Sequence, residues 1–207
     1  MPVHIVDHPI AQDALLTLRD ARTPPDEFRR EAARAALVIA AEALRDLPHA
    51  AATVETPLGP ATGRRVDAEI VVVPVLRAGL GMLEAVLTLF PRARVGHIGL
   101  QRDERTAVAS RYYARLPRPL HRSRVLLVDP MLATGGSAVA GLELLREAGA
   151  TDMRLVCVVA APEGIALVSS RFPDVAIYTP AIDRELNDRK FIVPGLGDFG
   201  DRLYGTE

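Results

Sequence analysis

Asp129 stands at the end of four consecutive apolar residues, Val125-Leu126-Leu127-Val128, and leads into Pro130-Met131-Leu132-Ala133-Thr134-Gly135-Gly136-Ser137. The apolar run reads as a strand buried on both faces, ended by the acid and the proline. An apolar-periodic helix is expected from about Ser137, with Leu142, Leu145 and Ala148 on its buried face and Gly149 ending it. A strand, a tight loop and a helix N-terminus together make an anion site. The unpaired N–H groups of the first turn and the positive end of the helix dipole aim at one spot. Thr134 and Ser137 add hydroxyl donors, and Gly135 and Gly136 permit close approach and positive φ. The loop is not a Walker A motif, which requires Gly-x-x-x-x-Gly-Lys-Ser/Thr, because Lys190 is the only lysine in the chain. Nor does it match Gly-x-Gly-x-x-Gly.

Two arginines fit the same chemistry. Glu69 to Leu76 reads as a buried strand, with a bulge or strand end expected at Pro74, and Arg77-Ala78-Gly79-Leu80-Gly81 follows it directly. A helix is expected from about Met82 to Leu89. An arginine at the carboxyl end of a buried strand lies where ligands bind in open parallel sheets, and its planar fork of donors suits phosphate. A surface arginine capping the sheet edge is the alternative, and the flanking glycines weigh against it. Arg102 repeats the pattern after a strand from Val95 to Leu100, within Gln101-Arg102-Asp103-Glu104-Arg105-Thr106, before a stretch from Ala107 to Arg115 that reads as irregular and polar.

The remaining elements must hold these residues in place. Helices are expected over Ala11 to Arg22 and Glu27 to Leu47, with Thr23 as N-cap of the second and Phe28, Leu37, Ile39 and Leu44 packing. Ala52 to Asp67 is rich in Pro, Gly and Thr and reads as a β-arm with turns at Leu58-Gly59-Pro60 and Thr62-Gly63. Arg154 to Ala161 and Val175 to Thr179 read as strands, with a helix to about Ser170 between them. From Ile192 onward, glycines and a proline argue against a helix or strand interior, and interleaved apolar residues argue against a disordered tail. Buried strands alternating with helices, without repeats or a composition break, imply one α/β domain over residues 1–207 with a largely parallel sheet.

Composition narrows the function classes. A formal net charge of −1 offers nothing to recruit nucleic acid or an anionic membrane. Cys157 is the sole cysteine and sits in an apolar run, which predicts a buried thiol rather than a nucleophile and excludes an internal disulfide. The first ten residues lack the features of a signal peptide, and no apolar run is long enough for a membrane span, so a cytoplasmic protein is expected.

The nine residues Asp129 to Ser137 resemble the 5-phosphoribosyl 1-diphosphate (PRPP) loop of type I phosphoribosyltransferases, and in particular that of the uracil phosphoribosyltransferase family. His8-Pro9-Ile10, Leu18-Arg19-Asp20, Phe28-Arg29, Ala161-Pro162-Glu163-Gly164 and the stretch from Ile192 to Thr206 resemble the same family. The chain departs from the pattern at Pro130, where most type I enzymes have a second acid, and at Ala41, Arg105, Ala109, Arg111 and Phe199. The resemblance implies an open, largely parallel sheet flanked by helices, with a β-arm, a flexible hood starting near residue 107 and a C-terminal base-binding loop. It implies transfer of ribose 5-phosphate from PRPP to uracil, giving UMP and diphosphate. PRPP would meet Arg77, Arg102, Asp129 and Asp198 and the loop residues Pro130, Met131, Leu132, Ala133, Thr134, Gly135, Gly136 and Ser137. Uracil would meet Ile192, Gly197, Asp198 and Phe199. Arg77, Arg102 and Asp198 are the expected catalytic residues. Mg²⁺ would arrive mainly on PRPP, held by substrate oxygens and water. A GTP effector, known in some relatives, and a homodimer or higher homo-oligomer are further expectations. Two other readings stay open: a regulator of this fold that binds RNA, which would need a basic face, and an enzyme for a different base, for which Gly197 to Phe199 is the discriminating region.

Overall fold

In the computed structural model, residues 2–102 and 109–206 are described, those at 102, 109 and 110 by backbone alone. The chain opens with β1 (Val3–Ile5), α1 (Pro9–Arg19) and α2 (Pro25–Ala43). Both helices begin two residues earlier than predicted. Each carries a proline in its first turn, where the missing N–H has no intrahelical partner to lose. His8 caps α1, its Nδ1 accepting the Ile10 N–H at 3.1 Å. Thr23 is not the N-cap of α2; Pro24 holds that position, and Thr23 Oγ1 donates to the Thr17 carbonyl at 2.6 Å. Phe28, Ile39 and Leu44 are buried as expected, but Leu37 is exposed.

The predicted arm is an antiparallel hairpin, β2 (His49–Thr56) and β3 (Gly59–Val66), turning at Pro57-Leu58. The second turn expected at Thr62-Gly63 is not there, since these residues pair in register with Thr53 and Ala52. Nearly the whole hairpin is exposed.

β4 (Glu69–Leu76), α3 (Leu80–Leu89), β5 (Arg94–Val95), β6 (His97–Arg102) and β7 (Ala109–Arg115) follow. The stretch read as irregular is therefore a strand from residue 109, antiparallel to β6. Arg105, Thr106 and Ala107, with the start of the expected hood, lie outside the described residues. Pro74 makes no bulge. It pairs with Val128 on one side, and on the other it falls in the gap where β4 exchanges β5 for β6, so its missing N–H interrupts no ladder.

The chain continues through β8 (Ser123–Val128), β9 (Met131–Leu132), α4 (Gly136–Glu147), β10 (Asp152–Val156), β11 (Val159–Ala160), α5 (Pro162–Arg171) and β12 (Ala176–Thr179). The single strand predicted over Arg154 to Ala161 is thus two, broken at Cys157-Val158. The C-terminal stretch holds β13 (Glu185–Leu186), β14 (Ile192–Val193) and α6 (Phe199–Tyr204). This corrects the expectation that its glycines exclude regular structure. Asp198 caps α6, Gly205 ends it in the left-handed region at φ 68°, and Gly200 packs against Ala78.

The main sheet runs β1-β12-β10-β8-β4-β6-β7, with β5 also on β4. Its pairings are parallel except β6 with β7. β4 and β8 are central and covered on both faces, which is why their sequences are continuous apolar runs rather than alternating ones. Val72, Leu126 and Val128 meet α1, α2, α3 and α6 on one face, and Val71, Val73, Val125 and Leu127 meet α4 and α5 on the other. No helix among the described residues is long and apolar enough to cross a membrane.

Candidate active site

Register alone brings the predicted residues to one edge. Pro74 lies opposite Val128 and Leu76 opposite Gly99, so Arg77, Asp129 and Arg102 all leave adjacent strands near their carboxyl or distal ends. Arg102 is placed by its backbone on β6; its side chain is outside the described residues.

The loop after β8 is held from behind. The Pro130 carbonyl accepts the N–H groups of Val158 at 2.9 Å and Val159 at 3.1 Å, and the Leu132 carbonyl accepts that of Ala161 at 2.8 Å. Pro130 and Leu132 face inward and are buried, so they shape the loop rather than present side chains to a ligand. Gly135 is the N-cap of α4 at φ 84°, a conformation other side chains rarely adopt, and a Cβ there would lie 3.0 Å from the Gly164 carbonyl. Gly136 differs from the sequence reading. Its φ is not positive, and a Cβ would meet only Thr134 Oγ1 at 3.8 Å, so its surroundings are open. Gly135, the N-cap, has no side chain to cap α4 with, and the first-turn amides of a helix have no intrahelical partner.

Arg77 follows a cis Leu76–Arg77 peptide. Its Nη2 is 3.3 Å from Asp201 Oδ1, its guanidinium lies 5.9 Å from the Tyr204 ring centre, and its carbonyl accepts the Tyr204 hydroxyl at 3.2 Å. Burial raises the Tyr204 hydroxyl above its usual range, with Arg77 pulling the other way, so it remains a donor at neutral pH. Behind Arg77, Gly79 is pressed into the sheet: a Cβ would sit 2.5 Å from the Val128 carbonyl. The arginine is therefore presented by a turn that no larger residue at 79 would allow.

Two adjoining hollows share Ala78, Leu100, Asp198 and Gly200 as a common wall. One, of about 340 Å³, is lined by Asp129, Met131, Ala133 and Ser137 from the β8 loop and by Ile192, Gly197 and Phe199 from the C-terminal stretch. The other, of about 540 Å³, is lined by Arg77, Gln101 and Tyr112. Asp198 thus faces both, with Oδ1 accepting the Asp201 N–H at 2.9 Å as cap of α6. Thr134, Gly135 and Gly136 complete the loop beside the first hollow. The Phe199 side chain turns away into the core, 1% exposed and edge-on to Phe28 at 5.1 Å. Its bulk is accommodated beside Gly81 and leaves its backbone at the cleft.

Sequence reasoning missed Arg189, Lys190 and Phe191, which line the first hollow from the β13–β14 turn. Asn187 organises that turn by accepting the Arg189 and Phe191 N–H groups, each at 3.0 Å, and Lys190 adopts φ 65°. The one available signal was that Lys190 is the chain's only lysine. Cys157 is fully buried and burial pushes its thiol up to about 12, so it is no nucleophile at neutral pH. Among the described residues no group of three or more His, Cys, Asp or Glu is arranged to hold a metal, and Asp129 and Asp198 are the carboxylates that line the first hollow.

Comparison with known proteins gives the family and the fold. The family model for uracil phosphoribosyltransferase matches residues 5–206. A uracil phosphoribosyltransferase of Shouchella clausii is 49% identical over 206 residues, covering 99% of each chain. The solved structure of the AQ2163 protein of Aquifex aeolicus superposes with a TM-score of 0.94 at 36% identity, covering 99% of each chain. An APRTase of Giardia lamblia shares the fold alone, with a TM-score of 0.54 at 15% identity over 84% of this chain and 85% of that one. Built on the type I phosphoribosyltransferase fold and matched by that family model from residue 5 to residue 206, this chain belongs to the uracil phosphoribosyltransferase family, a family of pentosyltransferase enzymes.

Proposed function

We propose that the protein transfers ribose 5-phosphate from PRPP to uracil, releasing UMP and diphosphate. The observation that carries this reading is the pair of adjoining hollows with Asp198 on their shared wall. One hollow joins a phosphate-type loop to a glycine-rich C-terminal turn, and the other holds an arginine. A substrate with a 5′-phosphate at one end, a diphosphate at the other and a base beside C1 fits that division.

In this account the α4 amides with Ala133 to Ser137 hold the 5′-phosphate, and Asp129 accepts from the ribose hydroxyls. Gly197 to Phe199 and Ile192 meet uracil through backbone groups. The bond from C1 to the diphosphate oxygen breaks as the uracil ring nitrogen forms its bond to C1, and the ring proton leaves to solvent. Negative charge grows on the departing diphosphate, and Arg77 and Arg102 stabilise it with their fork of donors. No protein nucleophile is required; the chain's work is alignment and charge stabilisation. Asp129 and Asp198, the carboxylates that line the first hollow, would meet the water shell of a Mg²⁺ carried on PRPP, which would supply neutralisation of diphosphate charge.

Uracil is therefore expected to support diphosphate release while cytosine, adenine and hypoxanthine give about 10²-fold less or lower, because a site built to hydrogen-bond polar ring atoms is left with unpaired groups by the wrong edge. A panel of free bases with PRPP checks this. Equal turnover of hypoxanthine and uracil would contradict the assignment.

A further inference from the structure

The base-facing turn from Pro194 to Gly197 touches more than the cleft. Two of its carbonyls, those of Gly195 and Leu196, point into two arginines gathered at the C-terminal end of α1. Arg19 Nη1 donates to the Gly195 carbonyl at 2.7 Å, and its guanidinium forks onto Asp183 at 2.6 and 2.8 Å. Asp183 Oδ2 in turn accepts the Gly195 N–H at 2.7 Å. The Asp183 side chain is 6% exposed and that of Arg19 22%. One residue on, Arg202 Nη1 donates to the Leu196 carbonyl at 2.7 Å and also to the Leu18 carbonyl, while Nη2 donates to the Asp20 carbonyl at 2.6 Å. Its guanidinium lies 4.5 Å from the Phe28 ring centre. The carbonyls at the end of α1 have no intrahelical donors, so Arg202 satisfies them and the turn together.

These contacts set the direction of the peptides facing the cleft. The Gly195–Leu196 and Leu196–Gly197 bonds are not among the cis peptides of the chain. In a planar trans peptide the N–H points opposite to the carbonyl. Carbonyls drawn to Arg19 and Arg202 therefore turn the N–H groups of Leu196 and Gly197 away from α1, on the side where Gly197 lines the cleft.

We propose that Arg19, Asp183 and Arg202 are positioning residues for the pyrimidine: they clamp the Gly195 and Leu196 carbonyls so that the following N–H groups are presented to the ring edge of uracil. The inference rests on the uracil reading above and adds the residues that set its base specificity. None of the three lines the cleft, so their effect passes through the turn.

The test uses Arg19→Gln, Arg19→Lys, Arg202→Lys and Asp183→Asn in the full-length enzyme. It measures kcat/KM for uracil at saturating PRPP, the uracil-to-cytosine preference, PRPP affinity by calorimetry, and Tm. Misplacing a positioning group by about 1 Å is worth on the order of 10- to 100-fold, so Arg19→Gln and Asp183→Asn should lose that much in kcat/KM for uracil. The uracil-to-cytosine preference should shrink, PRPP affinity should stay within about twofold because the clamp does not reach the β8 loop, and Arg19→Lys should retain part of the loss. A folded Arg19→Gln enzyme with unchanged uracil kinetics and preference would overturn the proposal. So would PRPP affinity falling in parallel. If Asp183→Asn does not fold, the two lysine variants decide by the same criteria, and uracil kinetics like those of the unaltered enzyme in both would overturn it. Failure of the unaltered enzyme to use uracil would instead sink the functional reading on which this one stands.

Discussion

Valine in place of Gly136 is expected to reduce PRPP affinity by roughly 10²- to 10⁴-fold, the loss of about two charge-assisted hydrogen bonds from backbone amides to phosphate. The fold should survive. Gly136 does not have positive φ, and an added Cβ would meet only Thr134 Oγ1 at 3.8 Å. Its side chain would occupy space on the open side of the loop, where the proposed 5′-phosphate would meet the α4 amides. The neighbouring glycine supplies the contrast. At Gly135, φ is 84° and a Cβ would lie 3.0 Å from the Gly164 carbonyl, so Gly135→Val should damage stability as well as binding. Calorimetric titration with PRPP, beside thermal melts of both variants, separates the two effects. Unchanged affinity in a folded Gly136→Val protein would mean that the loop is not the phosphate site.

Arg77→Ala is expected to cost about 2–4 kcal/mol of barrier, the range for losing one preorganised donor to developing charge, which is roughly a 30- to 1000-fold loss of rate. Stability should change little. The Arg77 side chain is 60% exposed, and its contact with Asp201 at 3.3 Å is a surface pair, worth about 0–1 kcal/mol. Arg77→Lys should rescue only in part, because lysine keeps the charge without the fork. Arg102→Ala should fall in the same range, and Arg105→Ala should change the rate far less. Single-turnover formation of UMP in the four variants is the check. A silent Arg77→Ala would make the glycine-flanked arginine structural. Equal damage from Arg105→Ala and Arg102→Ala would move the diphosphate site.

Much of this site was legible in the sequence because its signals are local. A buried strand, an acid, a loop of small residues and a helix start lie within thirteen consecutive residues, from Val125 to Ser137. Arg77 was legible for the same reason: strand, arginine and glycines are contiguous. Other features failed for identifiable reasons. α6 is six residues long, too short for periodicity to register, and it depends on an Asp198 cap and a Gly205 stop that a glycine count reads as breakers. Positive φ at both Gly135 and Gly136 was over-read, since composition does not say which glycine of a pair needs it. That the Phe199 side chain packs in the core beside Phe28 while the residue still lines the cleft is a matter of direction, which residue type does not reveal. The Arg19–Asp183 and Arg202–Leu18 contacts span 164 and 184 residues, so nothing in either local stretch announces them.

The proposed reaction is a single transfer of ribose 5-phosphate to uracil at the cleft lined by Asp129, Asp198 and the glycine-rich turn. Its most direct test is to mix the purified protein with PRPP and Mg²⁺, add uracil, and quantify UMP and diphosphate together over time. One UMP is expected for each diphosphate, with release that depends on uracil. Diphosphate release at the same rate without uracil, or no UMP formed with uracil present, would contradict it.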